Sequence, residues 1–106
     1  MAQFDVHRNI GAHSDSIPFV VIVQSSLFDG YRRRVVVPLV KKGHLGKVAY
    51  DRFNPVFTVR STAVVLHPLE MVSVPLDRLG ARVGSLAAEG DRIIGALDEL
   101  LSRVHY

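Results

Sequence analysis

Up to Pro75 the chain alternates between short apolar runs and polar breaks, as β-strands do. Six runs stand out, at residues 3–8, 18–25, 33–39, 55–59, 63–66 and 71–74. The second run is rich in β-branched residues, which predicts a central strand that is buried on both faces in its middle. Pro38 is predicted to close the third strand, because proline cannot donate a hydrogen bond to the ladder.

The connections between these runs are short, apart from a weakly patterned basic stretch at residues 41–54 that we interpret as a loop. Strands joined by few residues pair antiparallel, since a parallel crossover needs about a dozen residues or more. The pattern therefore predicts an antiparallel meander.

After Pro75 the period changes and apolar residues recur at helical spacing. These residues are Ile93, Ile94, Leu97, Leu100, Leu101 and Val104. They predict an amphipathic C-terminal helix, with Glu89 and Asp91 at its start and Arg103 and His105 at its end, where their charges suit the helix dipole. The apolar face has to cover one face of the sheet, so we expect a single α+β domain over residues 1–106.

Composition narrows the class of protein. A chain of 106 residues is too short for two domains, and it buries only about two-thirds of its unfolded surface, which disfavours a deep enclosed active site. There is no cysteine, which excludes disulfides and thiolate chemistry. No leader pattern opens the chain, and its longest apolar stretch is far shorter than the roughly 20 residues of a membrane helix, so we expect a cytoplasmic protein without membrane contact.

Basic residues concentrate at residues 31–52, where Asp51 is the single acidic residue. The basic residues there are Arg32, Arg33, Arg34, Lys41, Lys42, Lys47 and Arg52. Such a segment can attract a phosphate backbone or an acidic protein, or it can simply be a solvated strand and loop. Aromatic residues do not interleave with the arginines as stacking on single strands requires, so we expect no direct sequence-specific binding of nucleic acid.

No catalytic arrangement is visible. The five histidines are scattered and lack a helical pair or a completing carboxylate, so we expect no metal and no cofactor. Ser25 and Ser73 lie at predicted strand ends, where a hydroxyl commonly caps backbone groups, and neither lies in a Gly-x-Ser-x-Gly elbow. No glycine-rich loop leads from a strand into a helix. We therefore expect no catalytic residues and a protein that is not an enzyme.

Several short motifs follow one another along the chain. Each motif alone is weak evidence for a family, but their common order and spacing are specific. They are Gln3-Phe4-x-Val6, Phe19-Val20-x-x-Val23-Gln24-Ser25, Arg33-Arg34-x-Val36-x-Pro38-Leu39, Pro55-Val56, Met71-x-Ser73-Val74-Pro75, Gly80 and Ile93-x-x-Ala96. In these motifs the chain resembles the CcdB toxins, which poison DNA gyrase. The resemblance implies an SH3-like barrel of the CcdB and MazF type, with an antiparallel sheet, a small side sheet and one C-terminal helix. It also implies that the protein is bacterial, that it forms a homodimer and that it binds a CcdA-like antitoxin.

In the CcdB family the end of the helix enters the dimer cleft in the GyrA chains of gyrase and traps the enzyme on cleaved DNA, through a Trp-Gly-Ile ending. This chain departs from that pattern: Ser102, Arg103 and Val104 match the three positions, and His105 and Tyr106 follow. A tryptophan anchor commonly contributes a few kcal/mol to a small interface. The resemblance implies gyrase contact at these five residues, and Tyr106 offers a substitute aromatic side chain.

For the antitoxin, the resemblance implies contacts at Leu27, Phe28, Asp98 and Leu101. Two other functions stay open. A diverged relative could poison gyrase weakly or not at all and act on another target or bind the antitoxin alone, with an inert C-terminus. An endoribonuclease like MazF and Kid would need a base and a phosphate-binding arginine, for which residues 32–34 and His44 are the candidates.

Overall fold

In the computed structural model, residues 2–44 and 51–102 are described. Their regular elements are β1 (Asp5–Asn9), β2 (Phe19–Ile22), β3 (Arg33–Lys41), β4 (Val56–Val59), β5 (Thr62–Leu66), β6 (Val72–Pro75), β7 (Leu79–Ser85) and α1 (Gly90–Leu101). The strands pair antiparallel in the order β4-β5-β3-β2-β1-β7, and β6 also lies beside β3. This curled sheet with one C-terminal helix confirms the α+β prediction.

β3 is the strand at which the sheet divides. Its first half, as far as Val36, pairs with β6, and its second half, from Leu39 onward, pairs with β5. The predicted simple meander is therefore wrong, because β5 rather than β4 lies next to β3. A strand of nine residues can pair with a different strand along each half. The apolar runs in the sequence do not indicate which strand pairs with which half.

Pro38 lies at the point where β3 changes partner. Its carbonyl accepts a hydrogen bond from the His67 N–H at 3.1 Å, so its ring nitrogen faces the gap between β5 and β6, because the two polar groups of a strand residue point to the same side. The missing N–H costs no ladder bond there. The prediction that Pro38 ends the strand is therefore wrong, and β3 continues to Lys41.

β7 is a strand that the hydrophobic pattern misses. It contains two glycines, none of its residues is fully buried, and it shifts register against β1 after Val6 and again after His7. Gly80 is needed at this edge because a Cβ there would lie 2.6 Å from the Arg8 carbonyl oxygen. Backbone pairing with β1, and not alternating burial, makes this segment a strand.

The core lies between one face of the sheet and α1. Val21 and Leu39 from the sheet meet Ile93 and Ala96 from the helix in one buried cluster. The second predicted strand is buried on both faces as expected, since Val21 and Ile22 are both fully buried. No helix in the described part of the chain is long and apolar enough to cross a membrane.

The N-terminal turn braces the sheet against the helix. The Asp5 carboxylate accepts a hydrogen bond from the Ala2 N–H at 2.9 Å and lies 3.2 Å from Nε of Arg82. Burial acts to raise the pKa of Asp5, but the Ala2 hydrogen bond and the Arg82 charge outweigh it, so the pKa lies below its ordinary value. The next residue back, Phe4, packs its ring against Gly90 at the start of α1.

Candidate protein-binding surfaces

The loop at residues 25–32 is the first candidate surface. A short 3-10 turn, Ser26–Phe28, begins where the Ser25 hydroxyl accepts a hydrogen bond from the Leu27 N–H at 3.2 Å. The turn presents Leu27, whose side chain is 81% exposed, and Phe28, which is 47% exposed. Exposed apolar side chains that adjoin one another on an ordered loop are typical of protein interfaces.

Arg34 holds this loop from below. Its side chain is buried, Nη1 donates to the carbonyls of Tyr31 at 2.7 Å and Arg33 at 2.9 Å, and Nη2 donates to the carbonyl of Asp29 at 3.0 Å. The Asp29 carboxylate lies 3.8 Å from Nε. A buried guanidinium that ties three carbonyls fixes the path of the loop. Arg34 is thus a structural residue.

Gln24 closes the loop from the other side. Its amide nitrogen donates to the carbonyls of Phe28 at 3.1 Å and Arg33 at 3.3 Å, and its amide oxygen accepts from the Val35 N–H at 3.0 Å. The Gln3 N–H also donates to the Ser26 hydroxyl at 3.3 Å. The loop therefore has a defined shape although its side chains face solvent.

Beside the loop lies an open groove of about 320 Å³, which we name the Tyr31 groove; it is lined by Gln24, Phe28, Tyr31, Arg33 and Val35. The rings of Phe28 and Tyr31 meet edge to face with centroids 6.1 Å apart. Tyr31 is 68% exposed. Sequence reasoning identified Phe28 through the family resemblance, but it missed Gln24, Tyr31 and Arg34 as parts of this surface.

Arg33 lies along the edge of β6. Its Nε donates to the Ser73 hydroxyl at 2.9 Å and its Nη2 to the Ser73 carbonyl at 2.8 Å. Ser73 is within β6 and not at a strand end, so the prediction that its hydroxyl caps a strand end is wrong. Ser25, in contrast, does cap the loop turn.

The residues suggested for a nuclease site are not brought together. Arg32 and Arg33 lie at the start of β3, whereas His44 follows its end, and the strand between them, Arg33–Lys41, is about 26 Å long. Arg34 is buried and donates to three carbonyls, and Arg33 donates to Ser73 through two of its three nitrogens. Among the described residues, no three histidine or carboxylate side chains are placed to hold a metal ion.

The outer face of α1, formed by Ile94, Asp98 and Leu101, is the second candidate surface. These residues recur at helical spacing, and all of them are exposed. The prediction that Ile94 and Leu101 cover the sheet is wrong: the helix buries Gly90, Ile93 and Ala96 instead. A single helix touches a sheet along one narrow stripe, and the apolar face of this helix is wider than that stripe.

The residues predicted to contact gyrase fall largely outside the described part of the chain. Ser102 is exposed and follows the last turn of α1, where its N–H donates to the Asp98 carbonyl at 2.8 Å. Arg103, Val104, His105 and Tyr106 lie outside the described residues. The structure thus places the start of the predicted gyrase contact at the end of the outer face of α1.

Comparison with known proteins supplies the family. A search of curated proteins finds no match. A family model described as CcdB protein matches residues 3–102, which is nearly the whole chain and includes the 25–32 loop and α1. With this match and a curled antiparallel sheet that carries one C-terminal helix, the chain belongs to the CcdB family.

Proposed function

We propose that this protein is the toxin of a bacterial type II toxin–antitoxin system and that it acts in the cytoplasm by binding the GyrA chains of DNA gyrase and trapping the cleaved DNA complex. The observation that carries the proposal is the family match over residues 3–102. The toxin acts by binding and not by catalysis. In support, Arg34 is buried and holds the 25–32 loop, and Arg32 and Arg33 lie at the opposite end of β3 from His44.

We assign gyrase binding to the end of the helix and the residues after it, namely Ser102, Arg103, Val104, His105 and Tyr106. A helix end that leaves the body of the protein can enter a cleft in a larger partner, and Tyr106 supplies the kind of aromatic side chain that is enriched in interfaces. The exposure of Leu101 and Ser102 at the end of α1 supports this assignment.

We assign binding of a CcdA-like antitoxin to Leu27 and Phe28 on the loop and to Asp98 and Leu101 on the outer face of α1. The N-terminal turn contacts both elements that carry these sites, because Gln3 contacts Ser26 of the loop and Phe4 contacts Gly90 at the start of α1. We also propose a homodimer, since α1 packs against only one face of the sheet, and a second copy of the chain would cover the other face and the strand edges.

Induced expression in bacteria tests the gyrase proposal, with growth and gyrase-linked DNA breaks measured together. The full chain should arrest growth and accumulate breaks. A variant that ends at Val104 should lose both effects, because it lacks the aromatic side chain, while its unfolding free energy should change little, since chain ends contribute little to packing.

Three results would contradict parts of this proposal. Growth arrest without DNA breaks would point to another target. A folded full chain that binds antitoxin without toxicity would make it a diverged, non-poisoning relative. A folded truncated variant that still traps gyrase would move the contact to another surface.

A further inference from the structure

The Tyr31 groove combines an apolar floor with a charged group at one end. Val35 and the rings of Phe28 and Tyr31 supply the apolar surface, and the Arg33 guanidinium lies beside them. The guanidinium is held by two hydrogen bonds to Ser73, so its position is fixed before anything binds. Its third nitrogen, Nη1, donates to no group in the described part of the protein.

The charge around the groove is uncompensated. In the described part of the chain, neither Arg32 nor Arg33 has a carboxylate within ion-pair distance. The nearest acid in sequence, Asp29, is already close to the buried Arg34. A partner that brings a carboxylate to Arg33 therefore gains a charge-assisted hydrogen bond without breaking an existing ion pair.

The groove is also prepared for binding at small entropic cost. Arg34 and Gln24 fix the backbone of the loop, so Phe28 and Tyr31 do not have to be ordered by a partner. A groove of about 320 Å³ accepts side chains and not a folded domain. An extended chain segment meets these conditions best.

We propose that the Tyr31 groove binds an extended acidic segment of a partner polypeptide, with an apolar side chain of that segment against Tyr31 and Val35 and a neighbouring carboxylate on Arg33. The inference rests on the proposed function, in which the acidic partner is the antitoxin, and it extends the antitoxin contact from Leu27 and Phe28 to Tyr31 and Arg33. Ser73 is a positioning residue, because it orients the guanidinium.

The test uses the full chain and the CcdA-like antitoxin of the proposed function, with affinity measured by titration calorimetry. Tyr31→Ser and Arg33→Gln should each weaken binding roughly 10-fold or more, as loss of a central aromatic or arginine anchor does. Ser73→Ala should weaken it about 2–3-fold, because Arg33 keeps one of its two holding bonds. Raising the salt concentration should weaken binding to the wild type more than binding to Arg33→Gln.

Two matched controls lie at the far ends of β1 and β3. Ile10→Ser removes an apolar side chain that is 58% exposed, and Lys42→Gln removes an exposed positive charge. Both should bind within about twofold of the wild type, as residues away from an interface do. Thermal unfolding of all five variants checks that each is folded.

The outcomes separate this inference from the proposed function. If the wild type binds the antitoxin and the Tyr31 and Arg33 variants bind it equally well, the groove assignment is wrong and the toxin proposal stands. If the wild type binds no antitoxin and does not arrest growth, both fail. The groove assignment is also wrong if the two control variants lose as much affinity as the Tyr31 and Arg33 variants.

Discussion

The 25–32 loop and the outer face of α1 both expose apolar side chains, but they are held in place differently. The loop has little regular structure and depends on side chains from elsewhere, above all Arg34 and Gln24. The outer face of α1 lies on a regular helix whose opposite side is packed against the sheet. The first surface therefore depends on a few polar contacts, and the second depends on hydrophobic burial.

This difference predicts how each surface responds to the loss of a supporting side chain. Removing the Arg34 guanidinium should disorder the loop as a unit, because three of the carbonyls at the loop share this one donor group. Removing one buried methyl group under α1 should lower stability but leave the helix in place, because burial is spread over many contacts.

The largest effect is expected at Arg34. Arg34→Met removes the donors to the carbonyls of Tyr31, Arg33 and Asp29, and it should lower the free energy of unfolding by about 3–5 kcal/mol, since each carbonyl left without a donor costs about 1–3 kcal/mol. Arg33→Gln, whose side chain is exposed, should change it by less than about 1 kcal/mol. Urea unfolding measures both, and amide exchange at Phe28 and Tyr31 reports the loop. Equal stability of the two variants would show that Arg34 does not hold the loop.

The next effect separates the two sides of α1. Ile93 is fully buried and Ile94 is 40% exposed. Ile93→Ala should cost about 2–4 kcal/mol through lost burial and a cavity, whereas Ile94→Ser should cost less than about 1 kcal/mol. Sedimentation at micromolar concentration should show a dimer for the wild type and an equally stable dimer for Ile94→Ser, because the proposed dimer uses the other face and the edges of the sheet. A monomeric wild type would contradict the dimer.

The smallest effect concerns Asp5, which braces the N-terminal turn that contacts both the 25–32 loop and the start of α1. Because its folded pKa lies below the ordinary value of 3.8, the ionised carboxylate stabilises the fold at neutral pH. Asp5→Asn should therefore cost about 1–2 kcal/mol at pH 7.

The sign of the pH dependence follows from the lowered pKa. The stabilisation by Asp5 is complete well above pH 3.8 and is lost as the pH falls below that value through the folded pKa. The gap between wild type and Asp5→Asn should accordingly shrink in urea unfolding at about pH 3. Asp15→Asn, on an exposed loop, is the control and should show no gap at either pH. A gap that stays constant with pH would contradict the role of the carboxylate.

Much of the fold could be predicted from the sequence, because its strands and helix bury alternating or helically spaced apolar residues. The runs around Val21, Val37 and Val64 predict strands correctly, and the apolar spacing after Gly90 predicts the helix. The family could also be predicted, since its motifs occur in order along the chain and the match covers residues 3–102. Both results depend on local pattern, which a sequence carries directly.

Only the tertiary structure decided which groups pair across the chain. Leu79–Ser85 is a strand because β1 offers it backbone partners, and Pro38 stays within β3 because the sheet changes partner there. The same holds for the candidate surfaces: Arg33 and Arg34 are adjacent in sequence, yet one lies exposed along the β6 edge and the other is buried under the loop. Adjacent strand residues point to opposite faces of the sheet, so Arg34 folds back under its own loop while Arg33 meets Ser73, a residue distant in sequence.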